Sequence, residues 1–190
     1  MNPVIEERYR EIVAAVDAEF ARNRELHGSK IHCQPGCTEC CHHIFSIAEI
    51  EAAEIAKGLA RLAPESRMVI EGRARDYIER TLIRGERLPC PALEQGVCSI
   101  YEYRPLTCHK FGMPLYNPEN AGRISACELN FKDGEEINDP QLVQIQSRIH
   151  REWVQLQVEC AQSDGRGGQR QLTVAHAILR ANKGRSESSP

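Results

Sequence analysis

The sequence predicts a mainly α protein whose helices pack around an irregular, cysteine-rich segment. Three observations predict it. Apolar residues recur at three- and four-residue spacings in both the N-terminal and C-terminal parts of the chain. Proline and glycine crowd the stretch from Glu86 to Gly134, where no long period is visible. Eight of the nine cysteines fall in two blocks, both in turn-rich sequence.

The elements follow in order. Ile5, Tyr9, Ile12, Val13, Val16 and Phe20 form one face of an amphipathic helix over residues 4–27, ended by Gly28 and Ser29. The tight cysteine block comes next, with Pro35-Gly36 as a turn. Ser46-Ile47-Ala48-Glu49 reads as a capping box opening a helix to about Arg61, with Ile47, Ile50, Ile55 and Leu59 on its apolar face. Pro64 suits the first turn of a helix running to about Arg84, and Gly85 stops it. Asp139-Pro140 reads as N-cap and first helical residue. That helix carries Leu142, Ile145, Ile149, Trp153, Leu156 and Val158 and runs to about Cys160. Asp164 to Gly168 is a flexible turn, and residues 169–182 form a last short helix. The expected organisation is one domain over 1–182 with a disordered tail at 183–190.

Composition narrows the class. Of 190 residues, 41% are hydrophobic and 27% charged, ordinary values for a globular domain with a real core. Aromatics are only 5%, which suits an aliphatic, helical interior. A net charge of -3 argues against a nucleic-acid binder, and no apolar run approaches a membrane span. The N-terminus lacks a secretory signal pattern, so the expected location is cytoplasmic and reducing. In such a compartment clustered cysteines bind metal more often than they form disulfides.

The tight block reads Cys33-x3-Cys37-x2-Cys40-Cys41, and the loose one runs Cys90, Cys98, Cys108, Cys127. A thiolate is a soft, anionic ligand suited to Zn2+ and to iron in iron–sulfur clusters. An irregular segment of about fifty residues also needs something to hold it. Buried free thiols would not explain the clustering. The spacing of Cys33, Cys37 and Cys40 also occurs in radical S-adenosylmethionine enzymes. Those usually place an aromatic where Glu39 stands, and they need a partial barrel for which this chain has neither the length nor the strands. The irregular segment is therefore expected to bind metal.

With these residues in view, the chain resembles the YkgJ-like cysteine-cluster family, whose members are described as zinc- or iron-chelating proteins. The resemblance covers about residues 30–130. It rests on the tight block, on Leu88-Pro89-Cys90-Pro91, on the stretch Gly96 to Cys108 with its Cys-x-Ile-Tyr-x-x-Arg-Pro-x-x-Cys pattern, and on Phe111 and Cys127. It implies eight metal ligands: Cys33, Cys37, Cys40, Cys41, Cys90, Cys98, Cys108 and Cys127. Where the family often has Arg after Cys108, this chain has His109. Some relatives carry the name flagellin lysine-N-methylase and are associated with an iron–sulfur cluster. This chain shows no glycine-rich loop between a strand and a helix to bind S-adenosylmethionine, so that activity is not carried over.

Other residues take plainer roles. Cys160, late in its helix and away from both blocks, is expected as a small packing residue. His32, His42, His43 and His109 flank cysteines but are not needed as ligands. Arg104 and Lys110 are placed either to offset negative charge at the metal or simply to pack. Tyr101 and Tyr103 shield the site, and Trp153 belongs to the core. The expected cofactor is one [4Fe-4S] cluster, with Zn2+ as the alternative. The expected role is electron transfer or redox sensing with a protein partner. The rivals are a zinc-stapled partner-binding module and a metal-dependent enzyme, although no nucleophile–base pairing stands out.

Overall fold

A computed structural model describes residues 2–34, 36–116, 124–132, 137–163 and 172–186. The architecture is mainly α, as the periodicity predicts. In chain order the elements are α1 (Pro3–His27), α2 (Glu49–Ala60), α3 (Pro64–Tyr77), β1 (Leu93–Glu94), β2 (Val97–Cys98), α4 (Leu106–Lys110), β3 (Leu115–Tyr116), β4 (Ile124–Ser125), α5 (Leu142–Ser163) and α6 (Val174–Ser186). No described helix is long and apolar enough to cross a membrane. The chain groups into two compact units, each built from two stretches: Met1–Pro35 with Leu106–Gly167, and Gly36–Pro105 with Gly168–Pro190.

In the first unit, α1 packs against α4 and α5. Asn2 caps α1 by accepting the Val4 N–H at 2.9 Å, and Pro3 occupies the first turn. Ile5, Tyr9, Ile12 and Val16 are buried as expected, and Tyr9 meets the half-buried Trp153 ring at 5.9 Å. The buried stripe then turns polar, through Glu19, Asn23 and His27. Arg22 explains much of this. Its guanidinium reaches Glu19 Oε2 at 2.7 Å and Oε1 at 2.8 Å, and Asp139 Oδ1 at 3.1 Å and Oδ2 at 2.5 Å. Asn23 completes the network by donating to Glu19 Oε1 at 2.9 Å. Asp139 also accepts the Gln141 and Leu142 amides at 3.1 and 3.2 Å. It therefore starts α5 as the sequence suggests, but the helix proper begins at Leu142 rather than at Pro140. The far end reaches Ser163, and Val158 is exposed rather than on the packed face.

In the second unit, α2 and α3 pack on α6 around Ile55, Leu59, Ile70, Ala74 and Ile178. Ile47 enters α2 through a bridge, its N–H bonded to the Leu172 carbonyl at 2.8 Å. The N-cap is Ala48, not Ser46: alanine has no side-chain acceptor, and only the Glu51 half of the box forms, taking the Ala48 N–H at 2.6 Å. Beyond Tyr77 the predicted helix continues as a π-helical turn over Ile78–Ile83 before Gly85. The last helix extends to Ser186, into the stretch expected as a tail. The turn expected at 164–168 and the final residues 187–190 lie outside the described residues.

The segment from Glu86 onward holds more regular structure than its composition suggests. β1 and β2 form an antiparallel hairpin with Leu93 opposite Cys98 and Glu94 opposite Val97. Gln95 and Gly96 make its two-residue turn, both with positive φ (49° and 80°), which matches the twist of the strands. β3 and β4 pair antiparallel, and α4 lies between the two pairs in sequence.

Arg22 is 23% exposed at its side chain while Glu19 and Asp139 are each 1% exposed, so removing it leaves two buried carboxylates without their cation. Arg22→Met is expected to lose about 2–3 kcal/mol of unfolding free energy, near the lower edge for breaking a buried pair because Arg22 keeps some water. Burial alone would raise Asp139, but the Arg22 guanidinium and two backbone amides outweigh it and hold the carboxyl below its ordinary value. This contribution is therefore present above the ordinary carboxylate range and is lost as pH falls through the depressed value. Denaturant unfolding from pH 7 to pH 3 should show that loss in the wild type and a shallower one in Arg22→Met.

Candidate metal centre

The hairpin fixes two of the cysteines. Cys98 ends β2, and the Leu93 N–H bonded to the Cys90 carbonyl at 2.9 Å anchors Cys90 to the start of β1. The Ser99 N–H on the Ala92 carbonyl, 2.8 Å, closes the same frame. Cys40 and Cys41 lie on a 3₁₀ turn, Glu39–His42, held by the Cys41 N–H on the Thr38 carbonyl at 2.8 Å. The Cys90 N–H then donates to the Cys41 carbonyl at 2.6 Å, tying turn to hairpin. Cys37 sits half-buried two residues before that turn.

Four thiols of this unit act on one another. The Cys41 thiol donates to the Cys40 sulfur, which lowers Cys40 to about 7 against the effect of burial, with the Arg104 charge helping. The same bond, burial and the charges of Cys40, Cys90 and Cys98 hold Cys41 well above the usual thiol range. Burial pushes Cys90 up to about 12, and Cys98 and Cys40 add to it. Cys98 is raised by burial and opposed by Arg104. Arg104 is held over the Tyr101 ring at 3.9 Å and donates to the Tyr101 carbonyl at 2.9 Å, so its charge has a fixed place.

Two backbone amides favour the thiolates. The Ala92 N–H donates to Cys90 and the Ile100 N–H donates to Cys98, in each case from two residues further on. The hairpin thus presents two sulfurs with the same backbone support. Hydrogen bonds of this kind stabilise a ligating sulfur and tune what it binds. The donors are all thiols, Cys40 opposes the ionisation of the other three, and each hairpin sulfur has an amide aimed at it. That chemistry fits a soft cation. Among the described residues, no three His, Cys, Asp or Glu groups stand already arranged around a single ion.

The first unit holds Cys33, Cys108, Cys127 and Cys160. Cys160 is 4% exposed on α5, the packing position expected of it. Cys108 lies within α4 and Cys127 in the turn after β4. Cys33 lies against Gly112, whose φ of +102° and missing side chain make room for the sulfur; a Cβ at that position would overlap it. All nine cysteines are free thiols.

His109 is buried with Nδ1 at 2.7 Å from Asp17 Oδ1. His43 lies 3.7 Å from Glu39 and stacks on Phe45. His32 and His42 are exposed at the surface. Sequence reading missed Asn130, whose amide nitrogen lies 3.6 Å from Cys33 Sγ. No local pattern marks it, since its partners lie far along the chain.

No curated protein and no solved structure matches the chain. A family model does match, over residues 32–161, which is more than half of the 190 residues and includes every cysteine. The chain therefore belongs to the CxxCxxCC family, described as a putative zinc- or iron-chelating domain.

Proposed function

We propose that the chain carries a thiolate-bound iron–sulfur centre, a [4Fe-4S] cluster, and serves electron transfer or redox sensing for a protein partner in a reducing compartment. The observation that carries this reading is the bond of the Cys90 N–H to the Cys41 carbonyl at 2.6 Å, which ties the Cys40–Cys41 turn to the hairpin of Cys90 and Cys98, with backbone amides on the two hairpin sulfurs. Four thiols are the complement that holds a cubane, and a bound cluster supplies a reversible one-electron step. This chain's own residues bind and tune. The Ala92 and Ile100 amides draw charge from two sulfurs, and Arg104 offsets charge on Cys40 and Cys98. Cys33, Cys108 and Cys127 are further ligands in the other unit, and Cys37 is a further ligand in the unit of the Cys40–Cys41 turn.

The same donors suit zinc, and composition separates the two. Protein purified without oxygen should be brown, with iron and acid-labile sulfide in near-equal amounts. Colourless protein with zinc and no sulfide would replace the redox role with a metal-stapled binding module.

Ligand and packing cysteines should part cleanly. Cys90→Ser is expected to lose metal from the full chain by elemental analysis. Cys160→Ala should keep its metal and lose only about 1–2 kcal/mol of unfolding free energy for a small buried side chain. Equal metal loss in both variants would overturn the ligand assignment. Arg104→Gln should weaken metal binding a few-fold, the scale of a partly exposed charge pair of about 0.5–1 kcal/mol.

A further inference from the structure

Three cysteine-bearing segments of the first unit meet at one residue. Asn130 is 4% exposed. Its Oδ1 accepts the His32 N–H at 2.8 Å, its backbone N–H donates to the Cys127 carbonyl at 2.8 Å, and its Nδ2 donates to the Gly112 carbonyl. The same Nδ2 lies 3.6 Å from Cys33 Sγ. Next to it, the Phe131 N–H donates to the Lys30 carbonyl at 3.1 Å, and the Phe131 ring meets His27 edge-on at 5.3 Å.

The orientation of the carboxamide follows from these partners. His32 offers a donor, so the oxygen faces it. Gly112 offers a carbonyl, so the NH2 group faces that side. A flipped amide would set oxygen against oxygen and donor against donor. The NH2 group has two hydrogens: one serves Gly112, and the second is on the side of the Cys33 sulfur. Gly112 lets the sulfur approach, because a Cβ there would occupy its place.

Loop closure needs the bonds to His32, Gly112 and Cys127. It does not need the hydrogen aimed at sulfur. A thiol is a weak acceptor, whereas a metal-bound thiolate is a strong one. We propose that Asn130 is a positioning residue for Cys33 as a metal ligand: it donates an N–H···S hydrogen bond to the thiolate and holds the Cys127 loop in register with it. This rests on the reading above that Cys33 binds metal.

The test uses the full chain loaded with Co2+, whose thiolate-to-cobalt charge-transfer bands report the sulfur ligands. Cys33→Ser identifies the bands that pass through Cys33. Asn130→Asp keeps the acceptor for His32 and replaces the NH2 donor with oxygen. It should shift those same bands to longer wavelength, since the sulfur lone pairs lose their donor. It should also weaken Co2+ binding about 10–100-fold in competition with a chelating dye, as loss of an orienting hydrogen bond at a ligand does. Gln144→Glu, on the exposed face of α5, adds the same charge elsewhere and should change neither. If Cys33→Ser removes bands and Asn130→Asp leaves them in place with wild-type affinity, the role of Asn130 is overturned while the metal reading stands. If Cys33→Ser removes nothing, Cys33 is not a ligand and the metal reading fails at that residue, taking the proposal with it. Should Asn130→Asp not fold, wild-type protein loaded with ¹¹³Cd and labelled with ¹⁵N on asparagine decides. A through-bond correlation between cadmium and the Asn130 side-chain amide supports the proposal, and a cadmium–thiolate signal without it overturns the proposal.

Discussion

Thiols that share a buried neighbourhood cannot all carry charge unless a cation lies among them. Two thiolates about 4 Å apart repel by about 4 kcal/mol at an effective dielectric of 20. One hydrogen bond to a sulfur, at about 1–2 kcal/mol, does not offset that. The chain nevertheless sets Cys40 where it opposes the ionisation of Cys41, Cys90 and Cys98, and sets Cys98 where it opposes that of Cys41 and Cys90. Without a cation protons stay on sulfur: Cys41 is raised by its bond to Cys40, by burial and by the neighbouring charges, and Cys90 mainly by burial, with the charges of Cys98 and Cys40 adding to it. A soft metal relieves the repulsion in the other direction, and the backbone amides at Cys90 and Cys98 already favour that state. Ala92, Ile100, Cys90 and Cys98 pack the hairpin frame on the core of its unit, whereas the turn over Glu39–His42 buries no residue, so the register of turn on hairpin depends on this one interaction.

The two units solve the same problem with different parts. In one, a two-residue hairpin presents sulfurs with backbone donors two residues on. In the other, a side chain, Asn130, does what the backbone does there, gathering the loops of Cys33 and Cys127 and aiming a donor at one sulfur. Away from the cysteines, the first unit is anchored by Arg22 between Glu19 and Asp139, which couples the middle of α1 to the cap of α5. The second is anchored by an aliphatic core beneath the hairpin, against which Cys90 and Cys98 pack.

The helices and the cysteine chemistry were legible in the sequence because both leave local marks. Ile5, Tyr9, Ile12 and Val16 on α1, and Ile47 to Leu59 around α2, fall where a 3.6-residue period puts them. The family resemblance, too, rests on cysteine spacing and on the stretch ending at Cys108, and the match over 32–161 bears it out. What stayed hidden depends on partners distant in sequence. Glu19 and Asn23 are buried polar residues whose partners include Arg22 and, through Arg22, Asp139, which lies 117 residues further on. Asn130 has partners at His32, Cys33 and Gly112 that no window could reveal. The hairpin was only half legible: Gly96 marks a turn, but Gln95 is not a residue type that favours the positive φ it adopts there. The tight block divides between units, Cys33 in one and Cys37, Cys40 and Cys41 in the other, and no local spacing marks that division.

Amide hydrogen exchange on the metal-loaded full chain, before and after anaerobic chelation, tests most directly whether a thiolate-bound metal holds these loops. The account predicts that the amides of Cys90, Ala92 and Ile100 lose protection by at least tenfold on chelation, while those of Ile12 in α1 and Ile55 in α2 keep theirs. Unchanged protection at Cys90, Ala92 and Ile100 after the metal is gone would contradict it, because the hairpin and the Cys40–Cys41 turn would then hold their register without a cation.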